Sequence, residues 1–409
     1  MAHVVEKLDE RVSRSGGRRQ QGRGQRLNSR KRGLSLIEVM FAIGVVMIGL
    51  LGIAVLVPIA GQAARDGVNY DRASRLGLNS VREFQMREMG RPDNWLRPDG
   101  TAVGVPASNT VGFCIDPRFV AVHNAFPMAP IDPRRFFPYS APIWVPRFER
   151  ITLRNWSASL TNSGIMGSAA ADEIFVTGDD LDINAPVDPQ LPAEQIYFNQ
   201  TPSSPDKRSS KGAFSWLATI SPQSDAWSLG GSTKQVNYTL SIVVLQGRDA
   251  SMSMDAVNER WAIIPYTTSG ATITANGFYS GGIAGGDVLL CDKTLAYALS
   301  GAPSPPAPAP EDLAVKRGQW IMLIRGSAAG PVSRWYKVTE ADPDELGTTT
   351  SSELAGTSPP SGHAARHVSL FGQDWQIDPA NQTYACIMPG VVAVYEKTIR
   401  LESSSLWTQ

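Results

Sequence analysis

The chain has 409 residues, 38 basic and 38 acidic, so its formal net charge is zero, and it has only three cysteines. This length is ample for one large domain or two smaller ones. The sparse, odd cysteine count excludes a disulfide framework as the basis of the fold.

The positive charge is concentrated at the N-terminus. Residues 1–33 contain ten Lys and Arg and three acids, and they end in Arg30-Lys31-Arg32-Gly33. Basic arms of this kind bind nucleic acid in other proteins, but this one directly precedes a long apolar segment. Because basic residues beside a membrane span stay in the cytoplasm, we predict a cytoplasmic leader and an extracytoplasmic remainder. That remainder has 28 basic and 35 acidic residues, so no nucleic-acid partner is expected.

A membrane-spanning helix is predicted immediately after the leader. No charged residue occurs from Val39 to Ala64, a stretch long enough to cross a hydrocarbon core of about 30 Å as a helix. A secretory signal would have a shorter apolar region, of about 7–15 residues. One acid, Glu38, lies at the start of the span, where a carboxylate is costly without a partner. It either reaches the lipid headgroups or, as we favour, pairs with a positive charge from another copy.

The sequence Gly33-Leu34-Ser35-Leu36-Ile37-Glu38 resembles the N-terminal motif of the type IV pilin and pseudopilin superfamily. In this superfamily a basic leader ends in glycine, and a short F/L-S/T-L-I/L-E run opens a long apolar helix. The resemblance implies that a prepilin peptidase cuts after Gly33 and methylates the new amino group of Leu34. It also implies that Glu38 neutralises the N-terminal amine of a neighbouring subunit. Leu34 departs from the usual phenylalanine, and the resemblance covers about the first fifth of the chain.

The sequence predicts four successive parts: a leader at 1–33, a transmembrane or filament-core helix at 34–60, an amphipathic continuation at 61–90, and a β-rich domain at 91–409. Apolar residues in 61–90 recur at a spacing typical of a helix with one buried stripe. The alternative is a separate short helix after a break at Pro58–Gly61. Residues 93–150 are rich in proline, which disfavours long helices and central strands.

Strand-like runs dominate the rest of the chain, and Gly, Pro, Ser and Asp separate them. The predicted strands are 173–177, 214–220, 235–245, 287–290, 319–324, 333–339, 367–371 and 391–395. The predicted fold is therefore α+β: a long N-terminal helix followed by a large, mostly antiparallel β domain. The Pro/Ala tract 301–310 is interpreted as a loop within one domain, and the alternative is a boundary between two lobes.

The sequence contains no strong catalytic or metal-binding motif. Asp179, Asp180 and Asp182 are a calcium candidate, but their spacing does not match an EF-hand loop, and a solvated acidic turn is the favoured interpretation. His363 and His367 have no convincing third ligand for zinc. A nucleophile elbow and a P-loop are both missing from the sequence. We therefore expect no cofactor and no enzymatic activity, and the pairing among Cys114, Cys291 and Cys386 stays open.

Taken together, these features predict a minor pilin-like or pseudopilin-like subunit of a type IV pilus or a type II secretion pseudopilus. Its expected partners are a prepilin peptidase, other pilin or pseudopilin subunits and, before assembly, the lipid of the inner membrane. The competing hypothesis is an extracytoplasmic enzyme or binding protein that keeps its single membrane span. A filament-tip adhesin is a third interpretation, which the long exposed loops permit.

Overall fold

A computed structural model describes most of the chain. The described residues are 35–103, 112–123, 132–139, 141–142, 144–155, 164–176, 181–183, 208–210, 214–223, 237–248, 252, 259–265, 267–269, 272–274, 286–300, 310–327, 330–342, 364–378 and 381–401. The chain divides into two compact units after Ala64.

The first element is a 51-residue helix, α1 (Leu36–Met86), which runs without a break through Pro58. Turns at 87–90 follow it, where Glu88 has a positive φ of 50° and the backbone N–H of Met89 donates to the carbonyl of Phe84 at 3.0 Å, which ends the helix. A single helix therefore covers both the apolar segment and the amphipathic segment that the sequence pattern distinguished. Among the described residues it is the one helix long and apolar enough to cross a membrane.

A seven-stranded sheet forms one part of the β domain. Its strand order is β1-β4-β2-β7-β8-β17, with β3 paired to β4. The strands are β1 (Trp95–Leu96), β2 (Phe113–Ile115), β3 (Phe136–Phe137), β4 (Phe148–Leu153), β7 (Phe214–Pro222), β8 (Asn237–Gln246) and β17 (Val391–Arg400). All pairs are antiparallel except β2 with β4.

Six further strands close into an antiparallel barrel of order β12-β15-β14-β13-β16-β9. They are β9 (Arg260–Ile264), β12 (Gly286–Cys291), β13 (Trp320–Arg325), β14 (Val332–Ala341), β15 (Ala365–Phe371) and β16 (Thr383–Ile387). Two small hairpins pair β5 (Leu181–Ile183) with β6 (Arg208–Ser210) and β10 (Thr267–Ser269) with β11 (Thr272–Thr274). The short helices are α2 (Pro117–His123), α3 (Ser168–Phe175) and α4 (Lys293–Ser300).

Side chains alternate between the two faces of each strand, and the helix, the sheet and the barrel pack on one another in layers. On β7, Trp216 and Ile220 face α1, whereas Leu217 between them faces the barrel. On the barrel strand β9, Ile263 packs against the sheet, and its neighbour Ile264 points into the barrel interior. Since successive residues of a strand point to opposite faces, β7 and β9 each contribute to two cores. The three larger apolar cores among the described residues are therefore helix on sheet, sheet on barrel, and barrel interior.

The predicted α+β fold is confirmed. Seven of the eight predicted strands form, with boundaries shifted by a few residues, but the predicted strand 173–177 is wrong. Residues 168–175 form the helix α3, because the run Ser-Ala-Ala-Ala-Asp favours a helix and Phe175 stacks on Trp216 with ring centroids 4.3 Å apart. Among the described residues of that prediction, only Val176 makes a β-bridge, to Ser215.

The expectation for the proline-rich region is also partly wrong, since β2 and β4 are interior strands of the sheet. The prolines fall between these strands rather than within them, so they remove no ladder hydrogen bond. Strands β9 and β16 were not predicted at all. The Pro/Ala tract lies between β12 and β13, which belong to the same barrel. The chain passes from the seven-stranded sheet to the barrel between Arg248, which follows β8, and Glu259, which precedes β9.

Candidate functional site

The N-terminal end of α1 contains the one sequence motif with a specific chemical meaning. The backbone N–H of Ser35 donates to the Glu38 carboxylate at 3.2 Å, and the backbone N–H of Glu38 lies 3.3 Å from Ser35 Oγ. This reciprocal pattern is a capping box, which satisfies two N–H groups that have no partner in the helix. The negative charge also interacts favourably with the positive end of the helix dipole. Gly33 and Leu34, the predicted processing residues, lie outside the described residues.

The capping box fixes where the Glu38 carboxylate points. An ionised carboxylate has about four acceptor positions, and the Ser35 N–H occupies one of them. The remaining positions face outward, because Glu38 is exposed. The group is therefore held in one orientation while still able to accept an ammonium donor from outside the chain.

The first half of α1 presents apolar surface on all sides. Every described side chain from Leu36 to Gly49 except the half-buried Gly44 is exposed, with Leu36 at 81% and Ile48 at 74%. A helix that is apolar all round is stable only when lipid or other protein covers it. This surface is consistent with anchoring in a membrane and with helix packing in an assembly.

The second half of α1 packs on the sheet. Ala73, Leu76 and Phe84 are buried in the core shared with β7 and β8. At Gly77 the helix lies so close to β17 that a methyl group there would overlap the Tyr395 ring. Glycine is needed at this position because no larger residue leaves space for the aromatic ring.

A groove of about 590 Å³ lies beside this part of α1, between it and the α3–β7 region. Asp71 and Arg75 on its rim form an ion pair at 2.9 Å, and both side chains are largely exposed. Leu76 and Phe214 contribute apolar lining. Exposed pairs one helical turn apart contribute little to stability.

Four charged side chains form a buried cluster where the sheet meets the barrel: Asp116, Arg150, Arg248 and Glu259. Arg150 is completely buried. It donates to Asp116 and, through Nη2, to both carboxylate oxygens of Glu259 at 2.7 and 2.8 Å. Arg248 holds Asp116 with two further hydrogen bonds, of 2.9 and 2.6 Å. Two positive and two negative charges balance, as burial requires.

The electrostatics of this buried charge cluster indicate a structural role. Burial by itself would raise the pKa of Asp116, but Arg248 and Arg150 outweigh it and lower the pKa to about 2. The same carboxylates raise the pKa of Arg150 although its burial opposes this. Both groups therefore stay ionised at every physiological pH, which suits a fixed junction and not proton transfer.

The metal candidates receive no support from the described part of the chain. Asp179, Asp180 and His363 lie outside it, and Asp182 belongs to β5, where only the backbone is described. His367 lies on β15 opposite Leu289. Among the described residues no three His, Cys, Asp or Glu side chains are grouped to hold a metal ion. All three cysteines are buried and free.

Two features were missed in the sequence analysis. The capping partner Ser35 could have been found, because Ser-x-x-Glu before an apolar run is the signature of a capping box. The buried charge cluster had no such signal. Its members are separated by as many as 143 positions in the chain, from Asp116 to Glu259, and only the tertiary fold brings them together.

Comparisons with known proteins agree with the N-terminal geometry. Residues 28–54 match the family described as the prokaryotic N-terminal methylation motif. No curated protein and no solved structure matches the chain. The match covers the leader end, the capping box and the first part of the apolar helix. The N-terminal segment of this chain therefore carries the type IV pilin and pseudopilin signal.

Proposed function

We propose that the chain is a minor pilin-like or pseudopilin-like subunit of a type IV pilus or type II secretion pseudopilus. The observation that carries the proposal is the methylation motif at 28–54, joined to a helix whose apolar first half is exposed all round. In this role α1 anchors the subunit in the inner membrane and then packs among the helices of neighbouring subunits. The β domain lies on the extracytoplasmic side.

Processing by a prepilin peptidase supplies the positive charge that the mechanism needs. Cleavage after Gly33 creates an ammonium group on Leu34. In a neighbouring subunit the Glu38 carboxylate, already oriented by Ser35, accepts this ammonium group. The contact is a charge-assisted hydrogen bond in a region of low dielectric constant, where such bonds are strong. It removes two unpaired charges from the apolar region and fixes the register of one helix against the next.

A low-copy role fits the size of the β domain better than a role as the main subunit. The compact unit that begins at Arg65 includes both a seven-stranded sheet and a six-stranded barrel. A domain this large would crowd a uniform filament. The role proposed is one of assembly, without enzymatic activity, cofactor or nucleic-acid partner.

The processing step is tested by the N-terminus of the purified chain. Mass spectrometry should find Leu34 as the first residue, with or without one methyl group. A chain that retains its leader would contradict the proposal and favour a plain membrane-anchored protein.

The role of the carboxylate is tested by Glu38→Ala and its matched control Ser35→Ala. Glu38→Ala should insert into the membrane normally, but its incorporation into filaments should fall by about tenfold, the equivalent of about 1.4 kcal/mol. Ser35→Ala keeps the charge, loses only the hydroxyl of the capping box, and should have a much smaller effect. Equal incorporation of Glu38→Ala and the unaltered chain, measured by quantitative immunoblotting of isolated filaments, would remove the role given to Glu38.

A further inference from the structure

A cavity of about 230 Å³ lies at one end of the six-stranded barrel, where β13 ends and β14 begins. These two strands form one wall, to which Arg325 and Arg334 belong, and the segment 373–376 after β15 forms the other. Among the described residues β15 is registered with β14 only from Lys337 onward, so the seam between these strands is open at this end. Barrel mouths are common sites for small ligands.

Strand alternation places both arginines on the inner face of the barrel. Leu323 and Tyr336 belong to the barrel interior. Each arginine lies two positions from one of them on the same strand, and residues two apart on a strand share a face. Arg325 is registered with Val332, which makes Arg334 its diagonal neighbour across the strand pair, at about 7–8 Å. The two guanidinium groups therefore reach the cavity from adjacent strands.

Arg325 is fixed by the chain and still has an unused donor. The residue is 6% exposed, its Nη1 donates to Asp378 at 3.0 Å, and its guanidinium carbon lies 5.8 Å from the centroid of the Trp375 ring. The Trp375 indole N–H in turn donates to Thr383 on β16 at 3.1 Å. Arg325 Nε is buried and has no hydrogen-bond partner among the described residues. Because buried polar atoms nearly always have a partner, this N–H favours a site that receives a further acceptor.

Arg334 is the uncommitted group of the cavity. It is half-buried, and it makes no hydrogen bond or ion pair with any residue that the structure describes. Burial raises the pKa of Glu396, and Arg334 opposes this only through space. A guanidinium offers five N–H donors in a flat fork that matches the two oxygens of a carboxylate. Arg334 can therefore hold a carboxylate without losing a contact within the chain.

The charges of the lining favour a ligand with one negative charge. Arg325 and Arg334 contribute two positive charges and Asp374 contributes one negative charge, so one positive charge is left over. A phosphate monoester carries nearly two negative charges and would be repelled by Asp374. A carboxylate matches both the charge of the lining and the fork of Arg334.

The remaining polar groups suit hydroxyl groups. Gln373 and Gln376 are exposed and line the cavity, and a side-chain amide both donates and accepts. The ionised Asp374 only accepts, so a ligand group beside it must donate. Hydroxyl groups fit all three side chains. The volume is below the roughly 300–1,000 Å³ of an ordinary small-molecule site, so the cavity has room for a single ring.

We propose that this end of the barrel binds a sugar acid, that is, a single pyranose ring with one carboxylate. Arg334 holds the carboxylate beside Arg325, and Gln373 and Gln376 bond to the ring hydroxyls. The inference goes beyond the proposed function, and neither leader cleavage nor Glu38 bears on it.

Titration of the full chain in detergent with sodium glucuronate, followed by ligand-observed NMR, tests the site. The Kd should be about 1 mM, the range expected for a ligand of about a dozen non-hydrogen atoms. Three comparison ligands separate the contributions: glucose has the ring without the charge, acetate has the charge without the ring, and glucose 6-phosphate carries a dianion. Each should bind at least about tenfold more weakly. Equal binding of any of the three would overturn the proposal, as would the absence of binding by both glucuronate and its epimer galacturonate.

Arg334→Gln tests the residue that holds the carboxylate. Because Arg334 bonds to no described residue, the unfolding temperature should stay close to that of the unaltered chain, whereas glucuronate binding should weaken by at least about tenfold. The matched control is Arg317→Gln, which removes the same charge from an exposed residue just before β13, at the other end of this strand. Its glucuronate binding should stay within about twofold of that of the unaltered chain.

Unchanged glucuronate binding by folded Arg334→Gln would contradict the proposed site. An equal loss of binding in Arg317→Gln would do the same, because the effect would then be one of net charge. If Arg334→Gln does not fold, Gln376→Ala decides instead, since this side chain is exposed. It should weaken glucuronate binding by about threefold or more and leave acetate binding unaltered. Glucuronate binding unaffected by Gln376→Ala would then overturn the proposal.

Discussion

Arg150 has the most demanding environment of any single residue described. Its guanidinium is fully buried, donates to two carboxylates and lies 3.9 Å from the centroid of the Phe119 ring. A buried ion pair contributes little net stability when intact, but removal of one partner leaves the other charge without compensation. Arg150 therefore links the sheet to the barrel at their junction, because its two partners, Asp116 and Glu259, come from different parts of the chain.

Arg150→Met should lower the free energy of unfolding by about 3–5 kcal/mol, because Glu259 would lose its buried guanidinium partner. The control is Arg134→Met. Arg134 pairs at 2.6 Å with Asp132, only two residues away, and is more exposed, so its loss should cost about 1 kcal/mol or less. Urea unfolding of the full chain in detergent, followed by tryptophan fluorescence, measures both. Equal effects of the two substitutions would contradict the role of the cluster.

The same cluster predicts a dependence of stability on pH. The pKa of Asp116 is about 2 in the folded chain, against the ordinary aspartate value of 3.8 that applies to the unfolded chain. A depressed folded-state pKa contributes stability above the unfolded pKa and loses it as the pH falls. The contribution should therefore be complete above about pH 4 and disappear between pH 4 and pH 2. Asp116→Asn should be less stable at neutral pH and should decline less steeply in this acid range. Identical slopes for the two proteins would refute this.

At the level of secondary structure, α1 has two different surfaces. Its first half exposes apolar residues throughout, whereas its second half buries only the stripe that packs on β7, β8 and β17. The close contact at Gly77 brings the helix backbone against the edge strand. One continuous helix thus joins a segment suited to lipid or helix packing with a segment that belongs to the β domain.

The two glycines Gly67 and Gly77 test this contact. Both lie inside α1, so alanine at either position improves helix propensity by about 1 kcal/mol. A methyl group on Gly67 meets nothing within 4 Å, whereas one on Gly77 overlaps Tyr395. Gly67→Ala should leave stability unchanged or raise it slightly, and Gly77→Ala should lower it by about 1–3 kcal/mol. Thermal unfolding of the full chain distinguishes them, and a stabilised Gly77→Ala would show that the contact is loose.

Across the whole molecule, the core between sheet and barrel contains all three cysteines. Cys291 on β12 and Cys386 on β16 are separated by β9, because Cys291 is registered with Ile263 and Cys386 with Trp261. Two strand spacings are about 9.5 Å, beyond the Cα separation of about 4.4–6.8 Å that a disulfide requires. The register therefore excludes this pairing, one of the three that the sequence left open.

The thiols should consequently be inert in the folded protein. Burial raises the pKa of Cys291 to about 12, and it raises the pKa of Cys114 and Cys386 as well. Because only the thiolate reacts, a thiol reagent at pH 8 should label none of the three in the folded chain and all three after unfolding in urea. Fewer than three labelled thiols in the unfolded, unreduced chain would show that a disulfide had formed.

The local sequence was sufficient to predict the N-terminal part of this protein. The run Gly33-Leu34-Ser35-Leu36-Ile37-Glu38 and the uncharged stretch after it are contiguous, so composition and spacing alone predicted a long helix with an acid near its start. The strands β7 and β8 were predicted for a similar reason, because each is a contiguous run rich in apolar residues. The fold class followed from these elements.

Long-range packing determined the rest. Residues 173–175 look like part of a strand but form a helix, because Phe175 packs on Trp216, which is 41 positions away in the chain. No local pattern predicts that β9 and β12 to β16 close into a barrel, or that Arg150 pairs with Glu259, which is 109 positions away in the chain. Closure and charge pairing depend on which segments become neighbours in space. The burial of apolar surface over the whole domain determines which segments become neighbours.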